Sequence, residues 1–111
     1  MEKIIQNEVQ CPVKKTLDVI GGKWKLRLIY QINTDVRRYG DLRRLLPDIS
    51  EKMLIQELKS LVEYGVLNKK SYNEIPPRVE YTLTDKGKEI LPIIELMIKF
   101  GTEEQTKNNI A

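Results

Sequence analysis

The spacing of apolar residues predicts four helices before residue 65. The segments CPVKKTLDVIGG, KWKLRLIYQI, DLRRLL and the stretch from Ser50 to about Tyr64 all place apolar residues three or four positions apart. Pro12 suits the first position of the first helix, and Gly21-Gly22 end it. Ser50 is a good N-cap for the fourth helix, and Gly65 is expected to end it.

Each of the first three helices is expected to bury an apolar stripe. The expected inward residues are Val13, Leu17 and Ile20 in the first helix, Trp24, Leu28 and Ile32 in the second, and Leu42, Leu45 and Leu46 in the third. The second helix has further apolar residues, Leu26 and Tyr30, on another side. It is therefore expected to lie buried between its neighbours.

A period of two appears near residue 80 and predicts a β-hairpin. The runs VLNKKSY and RVEYTLT flank NEIPP, and the prolines Pro76 and Pro77 place the tip between them. VRRYG, before the third helix, predicts one small strand. DKGKEILPIIELMIKFG predicts a long last helix, with Thr84 as its cap and Pro92 as a kink or an early-turn residue.

The order helix, helix, short strand, helix, helix, hairpin, helix predicts a mainly α fold with a small β-hairpin (α+β). Two helices joined by a tight turn and followed by a hairpin are typical of a winged helix-turn-helix. We expect a flexible N-terminal arm at residues 1–10, the domain at 11–101 and a polar C-terminal tail at 102–111.

Composition narrows the class of protein. The 111 residues are 41% apolar and 32% charged, as expected for a single soluble domain, and no apolar run approaches the roughly 20 residues that cross a membrane. No signal peptide is expected, and a single cysteine fits the cytoplasm. With no histidine and no phosphate-binding loop, we expect no enzyme activity, no zinc site and no cofactor.

Positive charge is concentrated between residues 23 and 44. Seven basic residues lie there, Lys23, Lys25, Arg27, Arg37, Arg38, Arg43 and Arg44, against two acids. The resulting local charge of +5 exceeds the +3 of the whole chain. Such a patch suits a polyanion, although a solvated basic surface would have the same composition.

The fourth helix has two faces of different chemistry. Leu58 and Leu61 fall within about 40° of Leu54 on a helical wheel, and Lys52, Gln56, Lys59 and Glu63 lie roughly opposite. On DNA, Gln56 can pair with adenine, Lys52 with guanine or a phosphate, and Met53 with a thymine methyl. Glu51 and Glu57 make this helix net acidic, so we expect the basic patch and Arg78 to supply the phosphate attraction. A merely solvated face is the alternative.

The last helix has more apolar surface than one domain can cover. Its apolar residues are Ile90, Leu91, Ile93, Ile94, Leu96, Met97, Ile98 and Phe100. We expect a homodimer through the terminal helices, with Ile90, Leu91, Ile94, Met97 and Ile98 at the interface. The alternative is a helix buried within its own domain.

The single cysteine, Cys11, lies at the expected N-cap of the first helix. The helix terminus and the nearby Lys14 and Lys15 favour the reactive thiolate. An inert apolar plug is the other interpretation.

Three segments together resemble the HxlR-type winged-helix regulators, relatives of the MarR group. They are CPVKKTLDVIGGKWKLRLIYQI, RRYGDLRRLLPDISEKMLIQELKSLVEYGVL and IPPRVEYTLTDKGKEILPII, so the resemblance covers roughly Cys11 to Gly101. It implies a transcription regulator that binds a palindromic operator in double-stranded DNA as a homodimer. It further implies that a cysteine followed by proline senses electrophiles. With one cysteine, Cys11 would bond to its symmetry mate, be alkylated or be capped by a small thiol.

The resemblance also assigns roles to particular residues. It places base reading on Ser50, Lys52, Met53 and Gln56, the wing contact on Pro77 and Arg78, and a phosphate contact on Lys23. With the rest of the basic surface, the predicted DNA-binding set is Lys23, Arg37, Arg38, Arg43, Ser50, Lys52, Met53, Gln56, Lys59, Pro77 and Arg78. A winged-helix module that binds a protein partner is the alternative function.

Overall fold

The computed structural model describes the backbone of residues 11–110 and the side chains of residues 11–107. The helices are α1 (Pro12–Ile20), α2 (Lys25–Ile32), α3 (Tyr39–Leu45), α4 (Glu51–Glu63), α5 (Asp85–Lys88) and α6 (Leu91–Ile110). The strands are β1 (Arg37–Arg38), β2 (Leu67–Tyr72) and β3 (Arg78–Leu83). This is the predicted winged helix-turn-helix order, with α3 and α4 as the helix pair and β2–β3 as the wing.

The three strands form one antiparallel sheet in the order β1-β3-β2. In the wing, Leu67 pairs with Leu83 at the base and Tyr72 with Arg78 near the tip. β1 lies on the other side of β3, with Arg37 opposite Tyr81. Burial raises the pKa of the Tyr81 phenol, and Tyr39 nearby adds to the shift.

Residues from every element except β1 and α5 form one apolar core. Its buried members are Ile20, Leu28, Ile29, Ile32, Leu42, Leu46, Ile49, Leu54, Leu58, Leu61, Val66, Leu67, Tyr81, Leu83, Ile90 and Ile94. The leucine stripe of α4 is fully buried, as the helical wheel predicts. This burial fixes which face of α4 points outward.

The ends of α4 are set by local chemistry. The Oγ of Ser50 accepts a hydrogen bond from the backbone N–H of Met53 at 3.1 Å, so the predicted cap is confirmed. Gly65 follows the helix with φ of 77°, a left-handed conformation that glycine adopts without strain. Gly87 of α5 lies so close to β2 that an added Cβ would sit 2.3 Å from the carbonyl oxygen of Val66.

Two expectations about inward residues were wrong. Val13 and Leu17 of α1 are 68% and 59% exposed, because only the end of α1, around Ile20, reaches the core. Leu45 is also exposed, since α3 is short and turns only Leu42 inward before Leu46 closes the core.

The last predicted helix is two helices. Thr84 caps the short α5, accepting a hydrogen bond from the N–H of Gly87 at 2.9 Å, and a new helix starts at Leu91. Pro92 lies in its first turn, where the missing N–H costs no bond. α6 then continues to Ile110, past the expected end at Gly101, because one glycine costs a helix only about 1 kcal/mol.

The predicted N-terminal arm, residues 1–10, lies outside the described residues. Within the described part, none of the helices combines the length and apolar character needed to cross a membrane. The same residues contain no cluster of metal-ligating side chains.

Candidate nucleic-acid interface

The outward face of α4 presents three exposed polar side chains. Lys52, Gln56 and Lys59 form no hydrogen bond or ion pair with any described residue. Ser50 at the start of the helix is exposed as well, although its oxygen is used by the cap. Met53 is half-buried and packs against the core.

Two of the three acids of α4 are held by other elements, and the third, Glu63, is exposed at the end of the helix. Glu57 accepts a hydrogen bond from Lys25 Nζ at 2.8 Å, and both side chains are only 14% exposed. Glu51 lies 3.9 Å from the guanidinium of Arg43 and 3.5 Å from the hydroxyl of Tyr39. The net acidity that the sequence assigns to α4 is therefore largely compensated, and its outward face keeps its lysines.

The basic patch is less free than its composition indicates. Besides Lys25 and Arg43, three of its arginines have acidic partners, namely Arg27 with Asp48, Arg37 with Asp35 and Arg44 with Asp41. Arg37 also donates to the carbonyl oxygen of Gln31 at 2.8 Å. Two exposed cations form no ion pair with the described residues: Arg38, and Lys23, whose Nζ lies 4.8 Å from the Trp24 ring centroid.

One ion pair connects α2 to the turn before α4. The guanidinium of Arg27 donates two hydrogen bonds to the Asp48 carboxylate, at 3.1 and 3.2 Å. Those bonds lower the pKa of Asp48 below its ordinary value of 3.8, and the positive charge of Lys23 contributes. Asp48 lies between α3 and α4, so the pair helps set the direction in which α4 leaves the turn.

Arg78 of the wing, unlike the outward lysines of α4, has close partners within the chain. Arg78 lies over the Tyr72 ring, 3.8 Å from its centroid, and 3.1 Å from a carboxylate oxygen of Glu74. Glu80 lies 3.7 Å from the same guanidinium and accepts a hydrogen bond from the Tyr72 hydroxyl at 3.0 Å. The sequence predicted that Arg78 helps to attract phosphates, but the structure gives this arginine two acidic partners.

A groove of about 710 Å³ separates α3 from the wing. Its walls are formed by Arg38, Tyr39, Gly40, Asp41 and Arg44 on one side and by Glu74, Pro76, Pro77, Arg78 and Val79 on the other. Pro77, predicted as a wing contact, is exposed on this groove.

Sequence reasoning missed Ile55 as a surface residue of the interface. Its side chain is 54% exposed, and it lines a second groove of about 260 Å³ with Lys59 and with Lys69 of the wing. The helical wheel places Ile55 about 100° from Leu54, at the border of the polar face. That position was the feature of the sequence that could have predicted the exposure of Ile55.

The predicted dimer surface needs a correction. Ile90 and Ile94 are buried in the chain's own core, and Leu91 is half-buried against it, so Ile90 and Ile94 cannot also cover a second chain. The exposed apolar residues of α6 are Ile93, Leu96, Met97, Ile98 and Phe100. Cys11, at the N-cap of the neighbouring α1, is half-buried and its side chain caps nothing.

A winged helix-turn-helix with a polar outward recognition face defines a transcription regulator of the HxlR/MarR type. The chain belongs to the HxlR-like helix-turn-helix family, whose model matches residues 19–109. The resemblance seen in the sequence is thus confirmed.

Particular relatives support this assignment. A MarR-family transcriptional regulator from Porphyromonas gingivalis W83 shares 55% identity and a TM-score of 0.82, over 84% of this chain and 91% of that one. The redox regulator HypR in its oxidized form shares 41% identity and a TM-score of 0.80, over 84% and 96%. The HTH-type transcriptional regulator YdeP of Bacillus subtilis (strain 168) is 41% identical over 100 residues, 90% of this chain and 77% of YdeP.

Proposed function

We propose that this regulator acts in the cytoplasm as a homodimer that binds a palindromic operator in double-stranded DNA. Each protomer places α4 in one major groove. The observation that carries the proposal is the outward face of α4, where Lys52, Gln56 and Lys59 have no partner among the described residues. Two of the three acids of the same helix, Glu51 and Glu57, are engaged by other elements, and the third, Glu63, lies at the far end of the face. The part of the face that carries Lys52, Gln56 and Lys59 therefore presents donors to a groove lined by phosphates.

The residues of α4 divide between base edges and backbone. Gln56 has the amide that pairs with both edge atoms of adenine, and Lys52, near the helix N-terminus, reaches guanine acceptors or a phosphate. Ser50 and Lys59 lie at the borders of the same face. Met53 is left with a minor role, because its side chain is half-buried.

We assign the phosphate contacts to basic side chains that form no ion pair with the described residues. Lys23 and Arg38 are exposed and are the primary candidates. Arg37 and Arg43 would have to exchange Asp35 or Glu51 for a phosphate, so each contributes less.

Dimerisation is proposed through α1 and α6. Val13 and Leu17 of α1 and the apolar residues Ile93, Leu96, Met97, Ile98 and Phe100 of α6 are exposed, and packing against a second copy would remove them from water. A two-fold pair would match a palindromic operator. Light scattering at micromolar concentration should give twice the mass of the chain, and the mass of one chain would contradict this part.

Selection of bound sites from random DNA tests the proposal directly. We expect an enriched inverted repeat, and binding of that repeat should weaken steeply with salt. Gln56→Ala should relax the preference at one position per half-site, costing about 1–3 kcal/mol there. Lys52→Ala should lower affinity and, if its partner is a phosphate, reduce the salt slope by about 0.9 per contact.

The matched control is Glu63→Gln, which changes charge at the far end of the same face. It should leave the selected sequence unchanged. No enrichment by the wild-type protein, together with capture of a folded protein partner on the same face, would favour a protein-interaction module instead.

We further propose that Cys11 makes DNA binding responsive to oxidants or electrophiles. The supporting observations are the half-buried thiol beside the exposed apolar surface of α1 and the 41% identity to the redox regulator HypR. Diamide or a quinone should weaken DNA binding by the wild type and spare Cys11→Ser. Equal responses of the two proteins would remove Cys11 from the mechanism.

A further inference from the structure

Five side chains near the tip of the wing form what we call the wing-tip cluster: Lys70, Tyr72, Glu74, Arg78 and Glu80. We propose that Arg78 is a positioning residue that holds the wing through this cluster, and that the cation meeting the DNA backbone beside the wing is Arg38. The DNA-binding half of this proposal rests on the proposed function, whereas the wing-holding half concerns the free protein.

Register brings the cluster together. Tyr72 pairs with Arg78 and Lys70 with Glu80 across β2 and β3. Since residues two apart on a strand share a face, these four side chains are neighbours on one side of the hairpin. Glu74, in the loop beyond, reaches back to the same guanidinium at 3.1 Å.

Arg78 is held on several sides at once. Its guanidinium lies 3.8 Å from the Tyr72 ring centroid, between the carboxylates of Glu74 and Glu80, and the side chain is only 27% exposed. Its Nε is buried and has no hydrogen-bond partner among the described residues. The aromatic ring and the two carboxylates nevertheless compensate the charge of the guanidinium and hold its position.

The charges of the cluster balance. Lys70, whose Nζ lies 5.0 Å from the Tyr72 ring, and Arg78 offset Glu74 and Glu80. If Arg78 turned to a phosphate, only Lys70 would remain to offset the two carboxylates, and the cluster would be net negative beside the DNA backbone. Because of that repulsion, Arg78 is poorly suited to contact a DNA phosphate. Its contacts with Glu74 and Glu80 instead link the tip to the strands.

Arg38 lies on the other wall of the 710 Å³ groove, and its surroundings differ from those of Arg78 in that no acidic side chain pairs with it among the described residues. Its backbone N–H is held by the Asp41 carboxylate at 2.9 Å, while its side chain is exposed and forms no ion pair with the described residues. Arg44, also on this wall, is paired with Asp41. Arg38 is therefore the guanidinium that can reach a phosphate in the groove without breaking an existing pair.

The DNA test measures affinity against salt concentration, using a duplex that carries the repeat selected by the wild type. Arg38→Ala should reduce the slope of log K against log salt by about 0.9, the loss of one phosphate contact. Arg78→Ala should weaken binding several-fold on any duplex and leave the slope unchanged. A slope reduced by Arg78→Ala, or left intact by Arg38→Ala, would overturn the proposal.

A double-mutant cycle separates a positioning role from general damage. If Arg78 acts through Tyr72, then Tyr72→Ala should reproduce the affinity loss of Arg78→Ala, and the double variant should lose little more. Losses that multiply in the double variant would contradict the coupling. Arg78→Lys, which keeps the charge but not the planar stacking group, should recover only part of the affinity.

Hydrogen exchange in the free protein decides the wing-holding role without DNA. In Arg78→Ala, amides of β2 and β3 near the wing tip should exchange about tenfold faster than in the wild type. In Arg38→Ala they should not change, and amides of α4 should be unaffected in both. Unchanged wing exchange in Arg78→Ala would overturn the proposal even if no DNA sequence were ever selected.

Discussion

The recognition helix and the wing use their charges in opposite ways. On α4, the acids Glu51 and Glu57 are engaged by Arg43 and Lys25 from other elements, which leaves the outward lysines unpaired. On the wing, Arg78 is engaged by acids of the hairpin itself. A count of basic residues along the sequence gives two in α4 and three in the wing and would favour the wing, whereas the ion pairs favour α4.

The two regions also differ in what holds them. α4 is fixed by leucines in the common core, so its orientation depends on the stability of the whole domain. The wing tip is held by a surface cluster and can open while the core stays folded. The comparison predicts that variants of the two regions will differ more in global stability than in their effect on DNA binding.

Leu58→Ala should have the largest effect on stability. Leu58 is fully buried in the core, so truncation loses apolar burial and leaves a cavity, at a cost of about 2–5 kcal/mol. Urea denaturation measures the loss, and Ile55→Ala on the exposed side of the same helix is the matched control. If both variants lost the same free energy of unfolding, α4 would not be anchored as described.

Glu57→Ala should cost less, about 1–3 kcal/mol, because it leaves the largely buried ammonium of Lys25 without its acceptor. The double variant Lys25→Met with Glu57→Leu removes both charges and should recover most of the loss. Urea denaturation again gives the values. A double variant less stable than Glu57→Ala would show that the pair contributes through its charge and not through avoided desolvation.

Tyr72→Ala in the wing should change the global free energy of unfolding by less than about 1 kcal/mol, since it lies outside the common core. The same substitution should nevertheless weaken DNA binding as described above. The control is Tyr81→Ala on the adjacent strand, where the ring is buried and the loss should be several times larger. Equal losses would mean that wing and core unfold as one unit.

The sequence predicted the elements well wherever a periodic pattern spans a whole element. The leucine stripe of α4, the Ser50 cap and the alternating β3 are examples, because each depends on neighbours within a few residues. The pairing of β1 with β3 could not be predicted, since two residues carry no register. The full extent of α6 was missed because one glycine is a weak end signal.

The sequence predicted the candidate site correctly only for side chains that form no ion pair with the described residues. The outward direction of Lys52, Gln56 and Lys59 follows from the helical wheel. The partners of Lys25, Arg27 and Arg78 do not, because those ion pairs join residues up to 32 positions apart or depend on the course of a loop. Charge balance at a surface is a tertiary property that spacing does not encode.

The smallest expected effect concerns the Arg27–Asp48 pair, an ion pair between α2 and the turn that precedes α4. The hydrogen bonds from Arg27 lower the pKa of Asp48 below 3.8 in the folded chain, so the pair stabilises the fold above the unfolded-state pKa and loses that contribution as pH falls through the folded pKa. Arg27→Ala should raise the Asp48 pKa toward 3.8, which carboxylate NMR titration can measure.

The stability difference between wild type and Arg27→Ala should accordingly be constant near neutral pH and shrink below about pH 4. Asp48→Asn is the matched control, because it removes the titrating group and should make the Arg27→Ala difference independent of pH in this range. The difference should be small, since Asp48 is exposed to solvent. A difference that stayed constant on acidification would mean that Arg27 stabilises the turn through its contact with the Trp24 ring, 5.1 Å away, and not through Asp48. The orientation of α4 would then depend on packing alone, whereas the wing tip is held by charged side chains.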